Sequence, residues 1–125
     1  VLIPRALKAR EVLPDALRAM GADVVVAPVY MTVPIEPDAA VLARLAAGSV
    51  DCVTFTSGAI ARAFVSALEA AALDVEAVMG RVVVASIGPV TTHDLAVLGY
   101  EDDIEAPRAT MASLAEAIAR YFSAA

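Results

Sequence analysis

Residues 82–91 read Val82-Val83-Val84-Ala85-Ser86-Ile87-Gly88-Pro89-Val90-Thr91. The run over 82–86, β-branched in its first three residues, predicts a strand, Gly88-Pro89 breaks it, and the residues that follow predict a helix over 90–98. Outward in both directions the same order recurs. Strands are expected over 1–4, 24–29, 52–55 and 103–105, and helices over 37–47, 58–72 and 111–122. The runs at 1–4 and 24–29 read as strands buried on both faces. Between them Val12, Leu13, Ala16, Leu17 and Met20 recur at helical spacing, with Gly21 placed for a left-handed stop. Pro14 predicts a kink in that helix. Ile60, Ala63, Phe64, Ala67, Leu68 and Ala71 give the middle helix one continuous apolar stripe.

Strands alternating with helices predict an α/β fold in which one parallel sheet is covered on both faces. The expected form is flavodoxin-like and five-stranded, in the order 2-1-3-4-5. The prolines of 32–37 forbid regular helix and mark a linker, with Pro37 suited to open the next helix.

Composition narrows the class. Apolar residues make up 60% of the 125, yet Arg44, Asp51 and Arg62 interrupt every run before the about 18 residues that a spanning helix needs. A soluble protein with an apolar core is expected, without membrane partners. A net charge of −6, with Lys8 as the one lysine, argues against nucleic acid and anionic lipid, both of which select clustered cations. The strand-like start at Val1 leaves no room for a signal peptide, and the absence of an initiator Met suggests a fragment. Cys52 has no partner for a disulfide, so the cytoplasm is the expected compartment. It reads as a small core residue, and His93 as a surface one. One Cys and one His cannot supply a structural zinc set, and no acidic cluster has calcium-loop spacing, so no metal site is expected.

In open parallel sheets, ligands bind outside the carboxyl ends of the strands. The residues there are Arg5, Tyr30 to Thr32, Thr56 to Ala59, Gly88 to Thr92 and Pro107 to Thr110. Three of these turns are small and hydroxylated, and each opens a helix whose free N–H groups favour an anion. Ser57 and Thr110 equally suit plain helix capping. A Gly-x-Ser-x-Gly elbow around Ser57 would need glycines where Phe55 and Ala59 stand, which disfavours a hydrolase nucleophile. Neither a Gly-x-Gly-x-x-Gly nor a Walker-type loop is present, which excludes the common nucleotide-binding modules. A receiver-like domain would need an aspartate ending the third strand and a lysine ending the fifth; the residues are Phe55-Thr56 and Ala106-Pro107.

Five stretches taken in order resemble uroporphyrinogen-III synthase: Val1-Leu2-Ile3-Pro4-Arg5 through Gly21-Ala22-Asp23-Val24 to Tyr30-Met31-Thr32; Asp51-Cys52-Val53-Thr54-Phe55-Thr56-Ser57; Arg62-Ala63-Phe64; Ala85-Ser86-Ile87-Gly88-Pro89-Val90-Thr91; and Thr110-Met111-Ala112-Ser113-Leu114. The resemblance implies a two-domain enzyme with its active site in the interdomain cleft, acting on hydroxymethylbilane without metal or redox cofactor. It implies that 1–32 finish the second domain, that 33–50 form an interdomain linker and helix, and that 51–125 complete the first domain. Tyr30 matches the family's cleft tyrosine, the candidate proton donor to the departing hydroxyl. Thr91 matches the threonine of the Gly-Pro-x-Thr turn, and Ser57 the serine of the Phe-Thr-Ser turn. With Gly58, Gly88, Arg5 and Thr110 they form the expected substrate-binding set. Two departures stand out: Ala6 replaces the glycine that often follows the basic residue, and Gly58-Ala59 replace further serines or a proline. The complete enzyme is expected to be monomeric, and the isolated segment inactive and able to exchange its first unit between chains. The rival reading is a non-catalytic small-anion binding module.

Overall fold

The computed structural model describes residues 1–124. The chain divides into two compact units, Val1–Ile35 and Glu36–Ala125.

In the first unit, β1 (Leu2–Ala6), α1 (Val12–Ala19) and β2 (Val25–Tyr30) form a parallel pair joined by one crossover helix. The register runs Leu2↔Val25 to Arg5↔Pro28 and then slips, so that Ala6 faces Tyr30. Pro28 has no N–H to give the ladder, and the slip falls beside it. The expected kink at Pro14 is corrected. Pro14 is the third residue of α1, in the first turn, where an N–H has no intrahelical partner to lose. Beyond the helix, Gly21 at φ +85° sends its N–H to the Arg18 carbonyl (2.9 Å), and the Ala22 N–H meets that of Leu17 (3.0 Å). This is the Schellman stop that a glycine at that place permits.

The strands of this unit are not buried on both faces as expected. Leu2, Val25 and Val29 are each more than half exposed, because two strands with one crossover helix offer cover for at most one face.

The second unit contains α2 (Ala39–Ala46), β3 (Cys52–Phe55), α3 (Gly58–Ala70), α4 (Val75–Met79), β4 (Val83–Ser86), α5 (Pro89–Val97), β5 (Ile104–Glu105) and α6 (Met111–Ser123). β3, β4 and β5 are parallel neighbours in that order. Successive residues of β4 point to opposite faces. Val84 joins Phe55, Ala61, Met79, Val82 and Leu95, so α3 and α5 lie on that side. Ala85 joins Ile104, Ala106 and Leu114, so α6 covers the other. Phe55 meets Phe64 edge-on at 5.5 Å. Leu45 of α2 packs with Leu68 and Val78.

The single five-stranded sheet is therefore corrected to two parallel sheets, β1-β2 and β3-β4-β5. A strand joins a parallel neighbour through a helix packed on the shared sheet. Here the chain leaves β2 through the exposed, proline-punctuated stretch 31–37, and the next helix spends its apolar face on Leu68 and Val78. That helix begins at Ala39, not at Pro37, because Asp38 caps it by accepting the Ala40 N–H at 2.8 Å. β5 starts one residue later than expected. Asp103 instead accepts the Val84 N–H on Oδ2 and gives its own N–H to the Val84 carbonyl, both at 2.8 Å.

Candidate carboxylate-binding site

The three parallel strands of the second unit end side by side. The Ile87 N–H donates to the Phe55 carbonyl and the Ala106 N–H to that of Ser86, each at 3.0 Å. The turns after β3, β4 and β5 consequently form one edge, from which α3, α5 and α6 begin. Ser57 caps α3, its Oγ accepting the Ile60 N–H at 3.2 Å. Thr110 caps α6 by accepting the Ser113 N–H at 3.1 Å. Gly88 is the N-cap of α5 and Pro89 its first residue, where the missing N–H is no loss. A Cβ on Gly88 would reach Ala109 at 3.4 Å, so the second and third turns touch.

Thus five of the expected residues, Ser57, Gly58, Gly88, Thr91 and Thr110, share one edge of the second unit. Arg5 and Tyr30 belong to the first unit, at the ends of β1 and β2. Tyr30 is 62% exposed. Arg5 is not the solvated arginine that a strand-end position suggests. Its side chain is 16% exposed, pairs with Glu11, and donates to the Arg10 carbonyl at 3.1 Å, while its Nε is buried without a partner.

The helix starts differ in what already covers them. Asp94 lies against Gly58: a Cβ there would stand 1.9 Å from Asp94 Oδ2. The start of α3 thus carries a carboxylate of the chain itself, which opposes a second anion at Ser57 and Gly58. Thr91 is 4% exposed, and among the described residues no hydrogen bond engages its hydroxyl. Thr92, one residue on, is the hydroxyl that the chain uses. Its Oγ1 lies 2.6 Å from Ser86 Oγ and 2.8 Å from Asp102 Oδ2, and Ser86 Oγ lies 3.0 Å from the same oxygen. Sequence reasoning passed over Ser86, Thr92 and Asp102 as partners; only the paired threonines after Gly88-Pro89 hinted at a second polar role.

Cys52 is half-buried beside Ala85 and Ile104. Burial first, then the carboxylates of Asp103 and Asp51, push its thiol above its usual 9.0, which disfavours the reactive thiolate. His93 is exposed. Among the described residues no His, Cys, Asp or Glu group has the arrangement to hold a metal ion, and no helix is long and apolar enough to cross a membrane.

The family model described as uroporphyrinogen-III synthase HemD matches residues 1–116. The chain belongs to the uroporphyrinogen-III synthase family.

A relative in Methanothermobacter thermautotrophicus, provisionally assigned as a uroporphyrinogen-III synthase, is 39% identical over 98 residues, which cover 76% of this chain and 39% of that protein. The crystal structure of uroporphyrinogen-III synthetase from Helicobacter pylori shares the fold with a TM-score of 0.72 at 23% identity, over 98% of this chain and 53% of that one. A mutant uroporphyrinogen III synthase from Thermus thermophilus does so with a TM-score of 0.63 at 21% identity, over 90% of this chain and 45% of that one. The chain therefore spans about half the length of these solved family members, and less of the Methanothermobacter relative.

Proposed function

We propose that this chain is part of a two-domain uroporphyrinogen-III synthase, a hydro-lyase of tetrapyrrole biosynthesis that closes hydroxymethylbilane with inversion of its last pyrrole ring. The family match over residues 1–116 carries this reading. In it, 1–32 finish the second domain, 33–50 connect the domains, and 51–125 complete the first. The complete enzyme works as a monomer in the cytoplasm, and the isolated segment is inactive because half of the cleft is absent.

The substrate supplies its own driving force. Pyrrole nitrogen lone pairs expel the terminal hydroxyl and leave an azafulvene, which the substituted carbon of the last pyrrole attacks. The spirocyclic product breaks and recloses with that ring inverted. The protein folds the chain so that this carbon, not the free one, reaches the azafulvene, and it helps the hydroxyl leave. Tyr30 suits the second task. A phenol of pKa about 10 stays protonated at neutral pH, and its exposed position at the end of β2 leaves the ring free to meet a ligand. Thr91 brings a hydroxyl unused by the protein to the first turn of α5. With Gly88, Thr110 and the open amides of α5 and α6, it holds substrate carboxylates. Ser57 and Gly58 contribute once Asp94 moves aside, and Arg5 contributes once its pairing with Glu11 opens.

Incubating the complete protein with hydroxymethylbilane and separating the ring isomers tests the proposal. Rapid formation of the inverted isomer supports it. Uninverted product at the spontaneous rate rejects it, and tight binding of the tetrapyrrole under those conditions identifies an anion-binding module instead.

A further inference from the structure

Ser86 and Thr92 stand at the two ends of segment 87–91, which contains Gly88 and Thr91. Both hydroxyls converge on one oxygen, Oδ2 of Asp102, at 3.0 Å and 2.8 Å, and lie 2.6 Å from each other. Asp102 belongs neither to β4 nor to α5; it comes from the loop that follows α5. We infer that Asp102 is a positioning residue, which fixes the turn after β4 in the shape that receives a substrate carboxylate. The inference rests on the function proposed above for that turn.

Proton counting shows how the clamp works. Two hydroxyls bring two protons to a triangle of three oxygens, so two of the three contacts are hydrogen-bonded at any moment. Either hydroxyl can relay the other's bond to the carboxylate, and each arrangement ties both ends of the segment to Asp102. Ser86 is fully buried, 0% exposed, so without this acceptor its hydroxyl would depend on the Gly88 carbonyl at 3.5 Å, a poor substitute. The carboxylate also faces the first turn of α5, where the helix dipole favours a negative charge. A nucleophilic role does not fit Ser86, whose full burial keeps its hydroxyl out of reach of a substrate atom.

A clamp of this kind acts on binding geometry and not on the departing hydroxyl. In the complete protein, Asp102→Ala is expected to raise KM about tenfold, the scale of one well-placed hydrogen bond, with kcat within about threefold. Asp102→Asn offers an amide to the same two hydroxyls and is expected to stay close to wild type in KM. Thr92→Val, which keeps shape and removes one hydroxyl, should fall between them.

Hydrogen exchange gives a readout independent of turnover. The amides of Ile87 and Thr92 donate to Phe55 and Gly88 carbonyls inside the clamp, and that of Val83 donates to Asp51 at the other end of β4. Asp102→Ala should speed exchange at Ile87 and Thr92 about tenfold relative to Val83, and Asp102→Asn should not. Equal acceleration at all three amides with unchanged KM would reduce Asp102 to general stability and overturn the inference. So would an Asn variant as impaired as the Ala variant. If the wild-type protein forms no inverted product, the proposed function fails, and an exchange pattern that is local to the turn still separates that failure from a failure of the clamp.

Discussion

Gly58 of α3 and Asp94 of α5 touch so closely that a methyl group on Gly58 would stand 1.9 Å from Asp94 Oδ2 and 2.7 Å from its Cβ. Gly58 is buried, so there is no empty space for that methyl to take. Gly58→Ala is expected to destabilise the second unit by about 1–3 kcal/mol, as overpacking does. Asp94→Ala would leave the Cβ in place, so it relieves only part of the clash. Asp94→Gly removes it, and in that background Gly58→Ala should cost about 0.5 kcal/mol or less. Urea unfolding of the four proteins of the cycle measures the coupling. Equal costs of Gly58→Ala in both backgrounds would show that the helices part without strain.

Cys52 gives a pH dependence of definite sign. Its folded thiol titrates above its usual 9.0, through burial and the carboxylates of Asp103 and Asp51. The folded state thus holds the thiol proton more tightly than the unfolded one. The resulting stability is fully present below the unfolded value and is lost as pH rises through the folded one. Unfolding midpoints of wild type and Cys52→Ala should therefore run parallel below pH 9 and diverge above it, wild type falling faster. Alkylation of the native thiol at pH 8 should be slower than that of the unfolded chain.

The alternation of strands and helices was legible in the sequence, because Val82 to Ser86 and the stripe from Ile60 to Ala71 carry their periodicity locally. The caps Ser57 and Thr110 were legible for the same reason: each bond spans three residues. α4 was missed. Its five residues are too few for a helical stripe, and it depends on Asp74 accepting the Ala77 N–H and on Ala72 turning at φ +56°. The joining of strands into one sheet was misread, since strand order is set by where crossover helices pack, and α2 packs on Leu68 and Val78. Asp94 against Gly58 and Asp102 beneath Ser86 and Thr92 join residues distant in sequence. Nothing in an acidic run such as Glu101-Asp102-Asp103 tells which carboxylate turns inward.

Thr91 separates binding from chemistry. Thr91→Val keeps the shape of a residue that is 4% exposed and removes a hydroxyl without a partner among the described residues. Stability should change by less than about 0.5 kcal/mol. Substrate affinity in the complete protein should weaken by about 1 kcal/mol, the net value of one hydrogen bond. Anaerobic calorimetric titration with uroporphyrinogen III, the product of the proposed reaction and the bearer of the same carboxylates, measures it; unchanged affinity would leave Thr91 a packing residue.

Tyr30 carries the central claim, that this family member closes a tetrapyrrole ring with acid assistance to the departing hydroxyl. The decisive measurement is the single-turnover rate of inverted-isomer formation from hydroxymethylbilane by the complete protein and by its Tyr30→Phe variant. The account predicts the inverted isomer from both, about 10²-fold more slowly from the variant because general-acid help is lost while the pyrrole nitrogens still drive departure, with substrate affinity nearly unchanged. Equal rates from the two proteins would remove Tyr30 from the chemistry, and uninverted product alone from the wild type would contradict the whole assignment.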